Sequence, residues 1–340
     1  MLKAALIGFG GISTTHRRGY CNLEKEGKVK LVAAYDINPK SFTTRVAINL
    51  GNDSDQFGED IHFYTDLDEM IAKEEIDFVD ICLPTYQHRE FSEKLLRRGY
   101  HVLCEKPMAL TSADCAEMIR AAKESGKELM IGQCLRFFPA YEYMKEVVDS
   151  GRFGKVLGGL FMRLSPPPVW GWENWFMDPE RSGGCITDLH IHDVDMIRYL
   201  FGEPEAVSCR ATTSLCVHDT VHTSLYYGGV PITAIGDWTL QGAKFNSNCQ
   251  INLEKATITY NDNGLKVYPK DSGTPYVVEL SSVSGYEGEI SYFCDIVQGK
   301  IKNEKNSPES AAKTISLVEH MRASAYNHGK VLEFKKQCLV

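Results

Sequence analysis

Along the first 130 residues, short apolar runs alternate with segments whose apolar positions recur every three to four residues. The runs at 4–8, 30–36, 77–83, 101–104 and 128–133 predict strands. The periodic segments predict helices from 13 to about 26, over 66–74, over 89–98 and from 112 to about 125. Thr111-Ser-Ala-Asp114 supplies an N-terminal capping signal for the last of these. Strands alternating with helices predict a parallel, doubly wound sheet. Residues 51–58 read as a polar loop far from any chemistry.

Beyond a helix over 141–150 the pattern changes. Residues 155–163, 206–213, 231–238, 256–260 and 277–280 are rich in β-branched and aromatic side chains. They are joined by turns such as Gly228-Gly229 and Asn261-Asp-Asn-Gly264. Successive strands with few helices between them predict a large, mostly antiparallel open sheet. Helices over 289–297 and 308–327 close the chain. The expected architecture is therefore α/β: a doubly wound domain over 1–125 and an α+β domain over 126–340, with the 308–327 helix packing back near the first. One face of the open sheet packs on helices, and the other needs cover from a second copy.

Composition narrows the function classes. The 340 residues are 43% apolar and 24% charged, ordinary globular values with room for two cores. A net charge of −8 argues against nucleic-acid or anionic-membrane partners, both of which favour a basic face. Eleven cysteines occur with no Cys-x-x-Cys, as expected of thiols in a reducing compartment. The chain opens directly on a strand, and no apolar run approaches the ~18 residues of a membrane span. A soluble, cytoplasmic protein is expected.

The candidate chemistry begins at Gly8-Phe9-Gly10-Gly11-Ile12-Ser13, between the first strand and first helix. This is a G-x-G-x-x-G dinucleotide turn with Ser13 in the third glycine's place. Gly8 permits the turn, Gly10 lets the backbone approach a pyrophosphate, and the helix N-terminus offers partial positive charge. Asp36 ends the second strand, 26 residues after Gly10. It is either a turn residue before Pro39 or an acceptor for the adenosine ribose hydroxyls, in which case it repels a 2′-phosphate and favours NAD over NADP. Lys40 nearby is the one contrary charge. The strand at 101–104 runs into Glu105-Lys106-Pro107, where proline ends the ladder. A Glu-Lys pair at the carboxyl end of such a strand is either a strand-end ion pair or part of a ligand crevice. Pro84-Thr-Tyr-Gln-His88 follows another strand and should line the same crevice.

A second chemical stretch is Gly183-Gly184-Cys-Ile-Thr-Asp188-Leu-His190-Ile-His192-Asp193-Val-Asp195, leading into a helix that ends near Phe201. At about 100° per residue, Asp188, His192, Asp195 and Tyr199 share one stripe. Ile186, Val194, Ile197 and Phe201 lie opposite and form the core face. An Asp and a His four apart can share a substrate hydroxyl, which suits acid–base work. His190 falls among the core positions, about 200° from His192 on a helix, so the two are not read as a metal clamp. No metal is expected. Pro166 to Trp175 holds three of the four tryptophans. They can stack on sugar faces or anchor a loop, and Trp172 is kept as a substrate candidate.

Taken in order, these motifs resemble the Gfo/Idh/MocA oxidoreductases, which include inositol dehydrogenase and glucose–fructose oxidoreductase. Arg136-Phe-Phe-Pro139 and the two closing helices extend the likeness over nearly the whole chain. The resemblance implies a Rossmann domain, then a domain whose open sheet makes homodimers or homotetramers. It implies NAD(P) held by Gly8, Phe9, Gly10, Gly11, Ile12, Asp36, Pro84, His88, Glu105, Lys106 and Arg136. It also implies Lys106, Asp188 and His192 as the catalytic group, with Trp172 added on the substrate side. The implied activity is hydride transfer at a secondary alcohol of a sugar, polyol or sugar derivative. The alternatives are an NAD-retaining glycosidase and a non-catalytic cofactor-binding regulator. Two features depart from the family pattern: His190, where a small residue is usual, and the tryptophan-rich loop.

Overall fold

The computed structural model describes residues 1–43 and 60–334. The polar loop expected over 51–58 lies outside the described residues. In chain order the first elements are β1 (Leu2–Ile7), α1 (Ser13–Lys25), β2 (Val29–Tyr35), β3 (His62–Tyr64), α2 (Leu67–Lys73) and β4 (Phe78–Ile81). α3 (His88–Arg97), β5 (His101–Glu105), α4 (Ser112–Ser125) and β6 (Leu129–Gly132) follow. The strands pair in the order β3-β2-β1-β4-β5-β6, all parallel. This is the doubly wound order, with its topological switch between β1 and β4. Capping chemistry sets the helix starts as the sequence foretold: the Thr111 hydroxyl accepts the Asp114 N–H at 3.1 Å. Asp66 likewise accepts the amides of Asp68 and Glu69 ahead of α2.

The second set comprises α5 (Pro139–Ser150), β7 (Val156–Leu164), the single turns α6 (Pro179–Ser182) and α7 (Cys185–Asp188), and α8 (Ile191–Phe201). Strands β8 (Ala206–Thr212), β9 (Thr220–Tyr227), β10 (Val230–Asp237), β11 (Asn246–Leu253), β12 (Ala256–Asn261), β13 (Gly264–Pro269) and β14 (Tyr276–Val277) come next. The chain continues through α9 (Gly285–Val297), α10 (Pro308–Tyr326) and β15 (Leu332–Glu333). Nine strands form one sheet in the order β14-β13-β12-β11-β7-β10-β9-β8-β15. Only the β7–β10 pair is parallel. Burial alternates strictly along β9, whose Val221, Thr223 and Leu225 are buried while His222, Ser224 and Tyr226 face outward.

The chain divides into two compact units, and the division differs from the expected boundary at residue 125. The first unit holds residues 1–137, 170–175 and 283–312; the second holds 138–169, 176–282 and 313–340. β6 lies beyond residue 125, yet it completes the parallel sheet by pairing with β5. α9, expected in the second domain, belongs to the first unit. Its Ile290, Phe293, Cys294 and Ile296 share one core with Leu6, Tyr20, Leu23, Phe78, Leu103 and Met130. An apolar helical stripe states that a helix is buried but not which core receives it. α10 is divided, its residues 308–312 grouping with the first unit and the remainder with the second. Among the described residues, no helix is long and apolar enough to cross a membrane.

Candidate active site

The glycine turn is fixed by sterics on one side and open on the other. Gly8 has φ of +96°, and a Cβ there would lie 2.8 Å from the Cys82 carbonyl oxygen, so only glycine fits. A Cβ on Gly10 would meet no atom within 4 Å. The Ser13 hydroxyl, at the start of α1, donates to the Gly10 carbonyl at 2.6 Å. Asp36 closes the other flank: its Oδ2 accepts the Phe9 N–H and its Oδ1 the Asn38 N–H, each at 2.8 Å. The carboxylate is thereby held beside the turn with further acceptor capacity on both oxygens. Open space at Gly10, a helix N-terminus and a fixed carboxylate fit the pyrophosphate and ribose of a dinucleotide.

The ends of β4 and β5 carry the next group of expected site residues. Lys106 is half-buried directly after β5 and is joined to Pro107 by a cis peptide bond. Pro84 is half-buried and opens the turn after β4. Three residues expected at the cofactor also hold the scaffold together. The buried His88 ring lies between two strand ends, with Nδ1 2.7 Å from the Pro107 carbonyl and Nε2 2.8 Å from that of Leu83, and in its neutral form it donates to one of them. Arg136 is buried and donates to the Lys305 carbonyl at 2.7 Å and to Ser310 Oγ at 2.9 Å. The Glu105 side chain turns inward, its Oε1 2.8 Å from His16 Nε2 and its Oε2 accepting the Lys106 N–H at 2.9 Å.

That inward turn exposes a group the sequence reading missed. His16, Asp80, Glu105 and Glu289 meet inside the first unit, each at most 3% exposed. A signal was present: Asp80 sits in Phe78-Val-Asp80-Ile81, a strand buried at all four positions. A carboxylate there needs a partner. That partner is His16 on α1, 64 residues earlier in the chain, and spacing gives no hint of a contact between positions so far apart.

In the second unit, Asp188 ends α7 and is buried, while His192 stands half-buried in the first turn of α8. The two helices are joined through Leu189 and His190, both with helical dihedrals, and the His190 N–H reaches back to the Cys185 carbonyl at 2.9 Å. The expected polar stripe is broken. Asp195 is 1% exposed and accepts from Thr314 Oγ1 at 2.7 Å, so it serves the core. Asp193 is bound by Arg163 at 2.9 and 3.2 Å, and Arg163 also donates to the Tyr141 hydroxyl at 3.3 Å. These buried pairs fix the helix that carries His192. His190 is fully buried with Nε2 3.0 Å from Thr223 Oγ1, as the core reading expected. A Cβ on Gly236 of β10 would lie 2.8 Å from the His190 ring, so the strand provides the room that this large residue takes.

The tryptophan-rich loop is partly strained. Glu173 and Asn174 both adopt left-handed backbone, with φ of 49° and 53°. Two successive non-glycine residues there cost on the order of 1–3 kcal/mol each, so their neighbours must hold them in place. Trp172 beside them is 46% exposed.

Residues 2–133 match the family model described as an oxidoreductase family with an NAD-binding Rossmann fold. Residues 141–259 match the model of the GFO/IDH/MocA C-terminal domain. The chain is 35% identical over 149 residues to the 2,7-anhydro-N-acetylneuraminate hydratase of Escherichia coli K12, covering 42% of this chain but only 38% of that relative. It is 27% identical over 293 residues to the inositol 2-dehydrogenase of Rhizobium meliloti, covering 84% of this chain and 80% of that one. Among solved structures, levoglucosan dehydrogenase in complex with NADH and levoglucosan superposes with a TM-score of 0.81 at 20% identity, over 98% of this chain and 99% of that one. With both domain models matched in order over the two sheets described above, the chain belongs to the Gfo/Idh/MocA family of oxidoreductases.

Proposed function

We propose that this protein is an NAD-dependent dehydrogenase or reductase acting on a secondary alcohol of a sugar, polyol or sugar derivative. The observation that carries the reading is Lys106 at the carboxyl end of β5, in the same parallel sheet as the glycine turn and Asp36. Open α/β sheets bind their ligands at that end. NAD, when bound, supplies the hydride acceptor. Lys106 steadies negative charge developing on the substrate oxygen. His192 takes the hydroxyl proton, because imidazole is the side chain whose ordinary pKa lies near neutral pH. Asp188 orients substrate and base. The exposed indole of Trp172 offers a face for a sugar ring. The names of the inositol and levoglucosan dehydrogenases support the substrate class.

A second reading is favoured by one relative. A hydratase adds water without net oxidation. Within an NAD-binding family such a reaction, like that of an NAD-retaining glycosidase, would oxidise and re-reduce its substrate in one turnover. A non-catalytic regulator is disfavoured because Lys106 and His192 are both retained. Working as a homodimer or homotetramer in the cytoplasm is part of the same reading. The ten described cysteines are all free thiols, in keeping with a reducing compartment.

The test is absorbance of NADH with purified protein, NAD+ and a panel of sugars and polyols. Stoichiometric NADH supports the dehydrogenase, and product without NADH supports the redox-neutral reading. Cofactor binding with no turnover sinks both. In the active case, His192→Ala should lower kcat by roughly 10²–10⁴ while NAD affinity is kept. A variant with the wild-type rate from about pH 6 to 9 removes His192 as the base.

A further inference from the structure

Four ionisable side chains meet where α1, β4, β5 and α9 converge, and the proposed reaction uses none of them directly. His16 Nδ1 lies 2.8 Å from Asp80 Oδ2, and Nε2 lies 2.8 Å from Glu105 Oε1. A neutral imidazole donates from one nitrogen only, so its other lone pair would face a carboxylate oxygen. Both contacts are hydrogen bonds only if the ring carries two protons or one carboxyl group is protonated. Each carboxylate already accepts elsewhere: Asp80 from the Tyr20 hydroxyl at 2.9 Å, and Glu105 from the Lys106 amide at 2.9 Å. The arrangement therefore favours both protons on the ring. Burial works against a charged His16, but the adjacent Asp80 carboxylate outweighs it and holds the ring's pKa well above the ordinary value.

Glu289 of α9 is the fourth member. It is fully buried, its Oε1 lies 3.9 Å from His16 Nε2, and neither carboxyl oxygen has a hydrogen-bond partner among the described residues. The titratable groups around it are His16 and Tyr20 of α1, Asp80 and Cys82 at β4, Glu105 of β5, Cys134 after β6, and Tyr286 on its own helix. Only His16 among them is cationic. An ionised Glu289 would lose its hydration and add a further negative charge beside Glu105 and Asp80. Burial first, and Glu105 second, push its carboxyl well above the usual range.

We infer that His16, Asp80, Glu105 and Glu289 form a buried cluster with an imidazolium at His16 and a neutral acid at Glu289, and that this cluster positions Lys106 through the Glu105 carboxylate. The positioning claim rests on the proposed role of Lys106; the protonation claim does not. Glu105 is the link, since one of its oxygens is held by His16 and the other holds the Lys106 backbone N–H. If Glu289 ionises as pH rises, the added charge repels Glu105 and strains the two bonds that hold it. Glu289 is thus a positioning residue.

Two measurements on the full-length protein decide the matter. The first is ¹⁵N NMR of histidine-labelled protein, with the His16 signals assigned by their loss in His16→Gln. Both ring nitrogens of His16 should show the protonated shift from about pH 6 to 8, whereas a neutral His has an ordinary pKa near 6.5. A single protonated ring nitrogen overturns the cluster. So does a stoichiometric metal found by elemental analysis, because the donor atoms of His16, Glu105 and Glu289 lie within 4.8 Å of one another and a cation could then replace the protons. The second is the pH profile of kcat with a substrate found in the panel. Wild type should show an alkaline decline of about tenfold per pH unit, the slope for loss of one proton. Glu289→Gln cannot ionise and should move the decline to higher pH, whereas Glu289→Asp should retain it, with NAD affinity equal in all three. Superimposable profiles for wild type and Glu289→Gln overturn the positioning role. If no substrate turns over, the functional reading fails, and the NMR still decides the protonation.

Discussion

Asp36 has its two oxygens tied to the Phe9 and Asn38 amides, so the carboxylate cannot swing away from an incoming cofactor. A 2′-phosphate brought near it would meet fixed negative charge. NAD should therefore bind more tightly than NADP, and Asp36→Ala should narrow the difference. Isothermal titration of both cofactors measures this, and tighter binding of NADP to wild type rejects it. His190 makes a different kind of prediction. Burial, with smaller contributions from His222 and Arg163, lowers its pKa to about 3. In the unfolded chain histidine titrates near 6.5. Between those values the unfolded state binds the extra proton, so stability from this residue is present above about pH 6.5 and is lost as pH falls toward 3. His190→Gln keeps a polar group but cannot titrate. The stability difference between wild type and this variant should shift against wild type on acidification by at most ~1.4 kcal/mol per pH unit. Urea unfolding at several pH values reads it, and a constant difference from about pH 4 to 7 would sink the assignment.

At the level of elements, what the sequence disclosed and what it hid follow from the range of the interactions. The start of α4 was legible because Thr111 and Asp114 cap it from three residues apart. The parallel strands were legible because β6 is buried and apolar throughout and β4 is buried at every position and apolar at all but Asp80. β11 was not singled out: Asn246-Ser-Asn-Cys-Gln-Ile-Asn-Leu253 exposes polar residues on one face, and only the buried Cys249, Ile251 and Leu253 mark the other. The strand expected over 277–280 shrinks to Tyr276–Val277, exposed at the end of the sheet next to β13. At the candidate site, the glycine turn, Asp36, Lys106, Asp188 and His192 were legible as motifs of neighbouring residues. The opposite fates of Glu105 and His88 were not, because their partners His16, Leu83 and Pro107 are defined only once the chain has folded. α9 is the extreme case. It returns to a core begun nearly 290 residues earlier and carries Glu289 into it.

For the whole molecule, the two faces of the open sheet differ sharply in burial. Its inner face is a continuous core that includes Phe161, Val207, Val221, Leu225, Ile232, Ile251, Ile258 and Val267, all nearly or fully buried. Its outer face carries Leu157 at 54%, Leu160 at 37% and Tyr226 at 40% exposure. The register places Leu160 between Gln250 of β11 and Thr233 of β10, so apolar and hydrogen-bonding side chains are interleaved across the middle of the sheet. Nine strands about 4.8 Å apart, two to nine residues long and together 56 residues at ~3.3 Å per residue, present a face of roughly 900 Å². That exceeds the ~800 Å² per partner of a standard stable interface. A twofold pairing is the simplest way for one such surface to cover itself. Light scattering should therefore give two or four times the chain mass of 38.2 kDa. Leu160→Asp, which sets a carboxylate in the middle of that face, should shift the mass toward the single chain while leaving the inner core and the fold intact by circular dichroism. A wild-type mass of 38.2 kDa at micromolar concentration would mean the outer face stays in water, and the assembly would have to be abandoned.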